Sequence, residues 1–101
     1  MSESKAVVVR DGEPNTSRFL FYCPACECSH FFQTEDGEKP HWTWNGNEEK
    51  PTVRPSIRVR TGPGMVNVCH FHLTDGKIEY CGDCTHSLSG QTVAMVPWEE
   101  T

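Results

Sequence analysis

The chain has 101 residues, 36% of them apolar, with nine basic against fourteen acidic residues and a formal net charge of −5. That length suits one domain, spanning 1–101 with a core over about 19–98, because two cores of half the size could barely cover themselves. No apolar run approaches the roughly 18 residues of a membrane span, and the acidic balance disfavours a duplex-binding protein, which needs a basic surface.

The core is thin, since Leu, Ile, Val and Phe together number 19. Six cysteines and five histidines are the expected correction, as a small domain short of apolar area needs a metal or disulfides. The opening MSESKAVVVR lacks the charged-then-apolar plan of a secretory signal. Reduced cysteines and metal ligation are therefore expected over a disulfide framework, in an intracellular protein.

In chain order, Ala6 to Val9 reads as a first strand and Asp11 to Ser17 as a loop. Phe19 to Tyr22 is a second strand that runs into CPACEC. His30-Phe31-Phe32 follows, then an acidic loop containing Glu35 to Glu38. His41 to Trp44 alternates, and Asn45-Gly46 is a turn pair. Val53 to Arg60 carries the cleanest two-residue period, with Val53, Pro55, Ile57 and Val59 on one face and Arg54, Ser56, Arg58 and Arg60 on the other. Met65 to Leu73 and Lys77 to Cys81 flank Asp75-Gly76, a hairpin signal. In that hairpin Leu73 lies near Ile78, Phe71 near Tyr80, and His70 across from Cys81. Asp83 is placed to cap a short helix from Cys84 to Ser89 that Gly90 stops. Thr92 to Val96 closes the fold as a last strand. The expected architecture is mainly β: a small antiparallel, zinc-stabilised domain of zinc-ribbon or knuckle type, with one short helix.

Cys23-Pro-Ala-Cys26 and Cys81-Gly-Asp-Cys84 are two cysteine pairs with the spacing that brings both thiolates to one ion from a tight turn. Two such pairs are a strong Zn2+ signal, and spacing alone favours those four cysteines. The hairpin complicates the choice. Cys69 shares the core face with Phe71, Leu73, Ile78 and Tyr80, whereas His70, His72, Glu79 and Cys81 line the other face.

The run CHFHLTDGKIEYCGDCTHSLSGQTV, with CPAC upstream and HWTWNGNEEKPTVRPSI between, resembles a family of small phage and prophage proteins whose members often carry the label "ammonia monooxygenase". The matching positions are Cys23, Cys26, Trp44, Asn45, Gly46, Pro51, Thr52, Pro55, Ser56, Cys69, His70, Gly76, Asp83, Cys84, His86 and Gly90. The label fails on physical grounds, since a membrane oxygenase needs a span and thiolate-rich sites suit zinc better than oxygen chemistry. The resemblance implies a zinc-binding fold of phage or prophage origin in the cytoplasm of a bacterial host, without implying an activity. Cys28, His72 and Cys81 depart from its pattern. The ligand set it implies is Cys23, Cys26, Cys69 and Cys84, with His70, His86 and Cys81 as second choices. A further site on the outer face would use His70, His72, Cys81 and Cys28.

Three functions fit these residues. A closed four-ligand zinc makes a structural staple, and the chain is then a binding module for a host or phage protein, not an enzyme. An open zinc near Asp83, His70 and His86 makes a small hydrolase. Lowest stands a nucleic-acid binder using Arg54, Arg58 and Arg60, with Ser56 adding a hydroxyl.

Overall fold

A computed structural model of the chain describes residues 6–12, 17–34 and 42–98. The acidic loop Glu35 to Glu38 and the start of the His41 to Trp44 stretch lie outside the described residues. Among the described residues eight strands form two antiparallel sheets. The first sheet holds β1 (Val9–Arg10), β2 (Arg18–Cys23) and β3 (Cys28–Gln33) in that order. The second holds β4 (Thr43–Trp44), β5 (Val53–Thr61), β6 (Asn67–Thr74), β7 (Lys77–Tyr80) and β8 (Thr92–Ala94), also in chain order. The antiparallel, mainly β class expected from the valine-rich composition is the one observed.

Two-residue alternation builds the core. Phe19, Phe21 and Cys23 of β2 and His30 and Phe32 of β3 turn inward. From the second sheet they meet Val53, Ile57, Cys69, Phe71, Leu73, Ile78 and Tyr80. The ring of Phe71 joins the sheets: it stands edge-on to Phe21 with centroids 5.6 Å apart and stacks on His30 at 5.8 Å. Among the described residues no helix is long and apolar enough to cross a membrane.

The β6–β7 hairpin has the expected register, with Leu73 opposite Ile78 and Phe71 opposite Tyr80. Its turn residues Asp75 and Gly76 both have positive φ, at 49° and 78°, as a tight two-residue hairpin demands. Two expectations differ. Cys84 to Ser89 forms successive turns, not a helix, with the Thr85 amide given to Val68 of β6 and the remaining bonds closing short local turns. The helical element among the described residues is a single 3-10 turn at Pro63–Met65. Pro55 is exposed instead of facing the core. The cause is an irregularity in β5: Val53 pairs with Leu73 and the next pair is Ile57 with Phe71, so the intervening residues bulge out of the ladder.

Candidate active site and metal centre

Ser56 sits in that bulge, immediately before β5 resumes its pairing with β6 at Ile57. Bulges bend a strand and re-aim a side chain. Here the side chain reaches over β6, where Ser56 Oγ lies 2.9 Å from His70 Nε2. The other ring nitrogen, Nδ1, is 3.0 and 3.1 Å from the two carboxylate oxygens of Asp83. An ionised carboxylate only accepts, so the Nδ1 proton points at Asp83 and Nε2 is left as the acceptor for the Ser56 hydroxyl. Serine, imidazole and carboxylate thus form one chain of hydrogen bonds, each within the reach that nucleophilic catalysis requires. The bond from His70 is the main cause that holds the Asp83 carboxyl below the usual carboxylate value, with the Arg58 guanidinium, 3.5 Å away, adding to it. The run of roles is Ser, His, Asp, and such constellations are recognised by geometry, not by chain order.

Local structure fixes each member. Asp83 is carried by the loop after β7, and that loop is stitched to β6 at the histidine itself. Cys81 N–H donates to the His70 carbonyl at 2.8 Å, the Cys84 thiol donates to the same carbonyl at 3.1 Å, and His70 N–H donates back to Cys84 Sγ at 3.3 Å. Thr85 N–H and Val68 O continue the pairing at 3.0 Å. Upstream, Asn45 Oδ1 accepts from Asn47 N–H and Thr52 N–H, each at 3.1 Å, which closes the WNG-to-PT loop that delivers β5. Gly76 seats this loop on the β6–β7 turn. A Cβ there would stand 3.1 Å from both Glu49 O and Lys50 Cα. Trp42 adds a last tie, its indole N–H donating to the Ser56 carbonyl at 3.1 Å.

A second constellation lies between the sheets. Donor atoms of Cys23, Cys26, His30 and Cys69 all fall within 4.8 Å of one another, a group able to hold a metal ion. The β2–β3 hairpin supplies three of them, and its turn gives the Cys26 amide to Cys23 Sγ at 3.4 Å. Cys69 arrives from β6 with its sulfur 3.8 Å from that of Cys23. Tyr80 OH, 3.2 Å from Cys23 Sγ, closes the inner side. His30 Nε2 is buried with no hydrogen-bond partner, and a ring nitrogen of His30 lies in the group. Without an ion the thiols conflict. The hydrogen bond from Cys69 holds Cys23 down to about 3, and the same bond pushes Cys69 far up. Burial lifts Cys26 to about 11. One thiolate is stable there and further ones need a cation.

A family model described as "Bacterial ubiquitination-like system serine protease (BubE)" matches residues 1–81. The chain belongs to the BubE family. The match spans Ser56, His70 and all four grouped metal donors, and Asp83 follows two residues beyond it. No curated protein and no solved structure matches. BubE is a bacterial family, and a phage origin is not part of what the match carries.

Against this BubE framework the residues singled out from sequence sort clearly. Cys23, Cys26 and Cys69 come together, but their fourth companion is His30 and not Cys84. Cys84 is half-buried beside the His70 backbone, too fully engaged there to serve the intersheet group. His86 packs edge-on to Tyr80, with Nδ1 accepting from Leu88 N–H at 3.2 Å, and stands outside the group. Cys28 is opposite Cys23 in register but exposed, and His72 pairs across to Glu79, so neither joins the outer-face group. His70 and Cys81 do meet there, with Asp83 as the third member. Arg54 is turned back on the protein, donating to Val53 O, Leu73 O and Thr74 Oγ1. Arg58 is engaged by Asp83 and Arg60 is exposed, so the three do not act as one uniform face. Ser56 was not singled out as a partner of His70. Its signal was the register, since pairing Val53–Arg60 with the hairpin puts Ser56 and His70 on one face.

Proposed function

We propose that this chain is a serine peptidase that cuts a protein component of a bacterial ubiquitination-like system, with Ser56 as nucleophile, His70 as general base and Asp83 as its orienting acid. The carrying observation is the unbroken Ser56–His70–Asp83 hydrogen-bond chain, at 2.9 and 3.0 Å. Ser56 Oγ adds to the scissile carbonyl as His70 Nε2 takes its proton. The tetrahedral intermediate collapses to an acyl-enzyme, and His70 returns the proton to the leaving amine. Water, deprotonated by the same nitrogen, then frees the acid and restores Ser56. Asp83 stays ionised throughout and stabilises the imidazolium. An apolar crevice of about 380 Å³ between β3 and β5 is lined by Phe31, Trp42 and Val59. Trp42 links the crevice to Ser56 through its indole bond.

The ion of the intersheet group is zinc in this reading. A tetrahedral zinc with bonds of about 2.3 Å to sulfur places two thiolates about 3.8 Å apart, and Cys23 and Cys69 are at 3.8 Å. Three thiolates and one imidazole close the coordination shell, so this zinc supplies folding energy and takes no part in hydrolysis.

The test is the p-nitrophenyl acetate burst of the intact protein. Wild type should release one equivalent of nitrophenol rapidly as the acyl-enzyme forms, and Ser56→Ala should lose that burst while keeping its circular dichroism. His70→Ala should slow it by about a thousandfold or more. An undiminished burst from Ser56→Ala would overturn the assignment.

A further inference from the structure

The outer face holds a third grouping that the peptidase mechanism does not use as such. A ring nitrogen of His70, Cys81 Sγ and a carboxylate oxygen of Asp83 lie within 4.8 Å of one another. Imidazole, thiolate and carboxylate are the three donor types that zinc takes, and three protein ligands leave a position for water. Donors around one zinc stand about 3.5 Å apart, so the thiol has only a short rotation to make. Solvent reaches the group, because Asp83 is 43% and His70 25% exposed at the side chain. The intersheet cluster is separate, with no residue in common.

We infer that His70, Cys81 and Asp83 form an inhibitory site for a zinc ion, which switches the peptidase off by capturing its base. This rests on the reading of Ser56–His70–Asp83 as the catalytic group. The ring nitrogen facing Asp83 is Nδ1. Metal coordination there takes the Nδ1 lone pair, so the one proton of the neutral imidazole moves from Nδ1 to Nε2. Nε2 then donates to Ser56 Oγ instead of accepting from it, so the hydroxyl is no longer activated. Asp83 must leave Arg58, a loss that is small for an exposed ion pair 3.5 Å apart. Binding releases the Cys81 thiol proton and needs no oxidant. Cys81 has an ordinary structural alternative, since its amide already pairs with the His70 carbonyl. That pairing uses the backbone and leaves the sulfur free to serve the metal.

The experiment titrates ZnCl2 into wild type, Cys81→Ser and Cys81→Ala, with Cys28→Ser as the control for an exposed thiol elsewhere. Native mass spectrometry counts zinc per chain, and the acetate burst reports activity, each variant against its own zinc-free value. Wild type and Cys28→Ser should bind a second zinc at micromolar concentration and lose the burst in parallel. Both Cys81 variants should stop at one zinc, with the half-inhibiting concentration raised at least about tenfold. Equal zinc counts in wild type and Cys81 variants would overturn the inference, as would a burst that zinc leaves unchanged or increases. The count is read without activity, so a protein that never shows a burst but binds the Cys81-dependent zinc separates failure of the peptidase reading from failure of the metal site.

Discussion

Asp83 orients the His70 ring, and in the proposed mechanism it also carries the charge that the imidazolium needs. Its carboxyl is held below the usual value chiefly by the bond from His70. Because folding favours the ionised form, the stabilisation is present above the ordinary carboxylate value of 3.8 and is lost as pH falls through the lower folded value. Carbon-detected titration of the Asp83 carboxyl should give a midpoint below 3.8 in wild type and one shifted upward in His70→Ala. A midpoint unchanged by that substitution would contradict the pairing. At this scale the sequence was half legible. His70 and Asp83 stood out as residues that handle protons, and Ser56 was noticed only as a hydroxyl on an arginine-bearing face. What hid the nucleophile is that its partner lies 14 positions away in a neighbouring strand, a proximity that strand pairing creates and no local spacing displays.

Two elements hold the site together, the β5 bulge and the loop from Cys81 to Thr85. The loop's grip on β6 passes through the Cys84 sulfur, which both donates to and accepts from the His70 backbone. Cys84→Ala should therefore cost about 1 kcal/mol of stability, slow the burst by loosening Asp83, and leave the metal content unchanged. Loss of one equivalent of metal would instead make Cys84 a ligand. The second cysteine pair resembled a metal knuckle because Cys81 and Cys84 have that spacing, and the register explains why they do not act as one: β6 already claims the backbone on either side. His30 was passed over for the opposite reason. It stands in the aromatic run His30-Phe31-Phe32, which reads as a core strand, and the pairing of Phe21 with His30 in the β2–β3 hairpin carries it toward Cys23. The β6–β7 turn was fully readable, since Asp-Gly names its own backbone. Gly76→Ala combines a φ of 78° with a Cβ 3.1 Å from the Glu49–Lys50 backbone and should destabilise by about 1–2 kcal/mol, seen as a lower melting temperature.

Across the whole molecule, the intersheet cluster joins the two sheets where the core is thin, with donors from β2, β3 and the turn between them and from β6. The sequence predicted this need from composition alone, because 19 large aliphatic and Phe residues are few for 101. A zinc ion held by this group would contribute on the order of 10 kcal/mol to such a fold. Cys69→Ser should lose the metal and the cooperative melting transition together, and a folded, metal-loaded Cys69→Ser would count against the staple. Cys69 and His70 are neighbours with side chains on opposite faces of β6, so one strand carries both a member of the metal group and the base of the proposed mechanism. Metal loss should therefore silence the peptidase without touching Ser56. The most direct test of the central claim is covalent capture of the nucleophile. Intact protein treated with a fluorophosphonate should gain one adduct, mapped by peptide mass spectrometry to Ser56 and absent in His70→Ala. No adduct, or an adduct on another serine, would contradict the account.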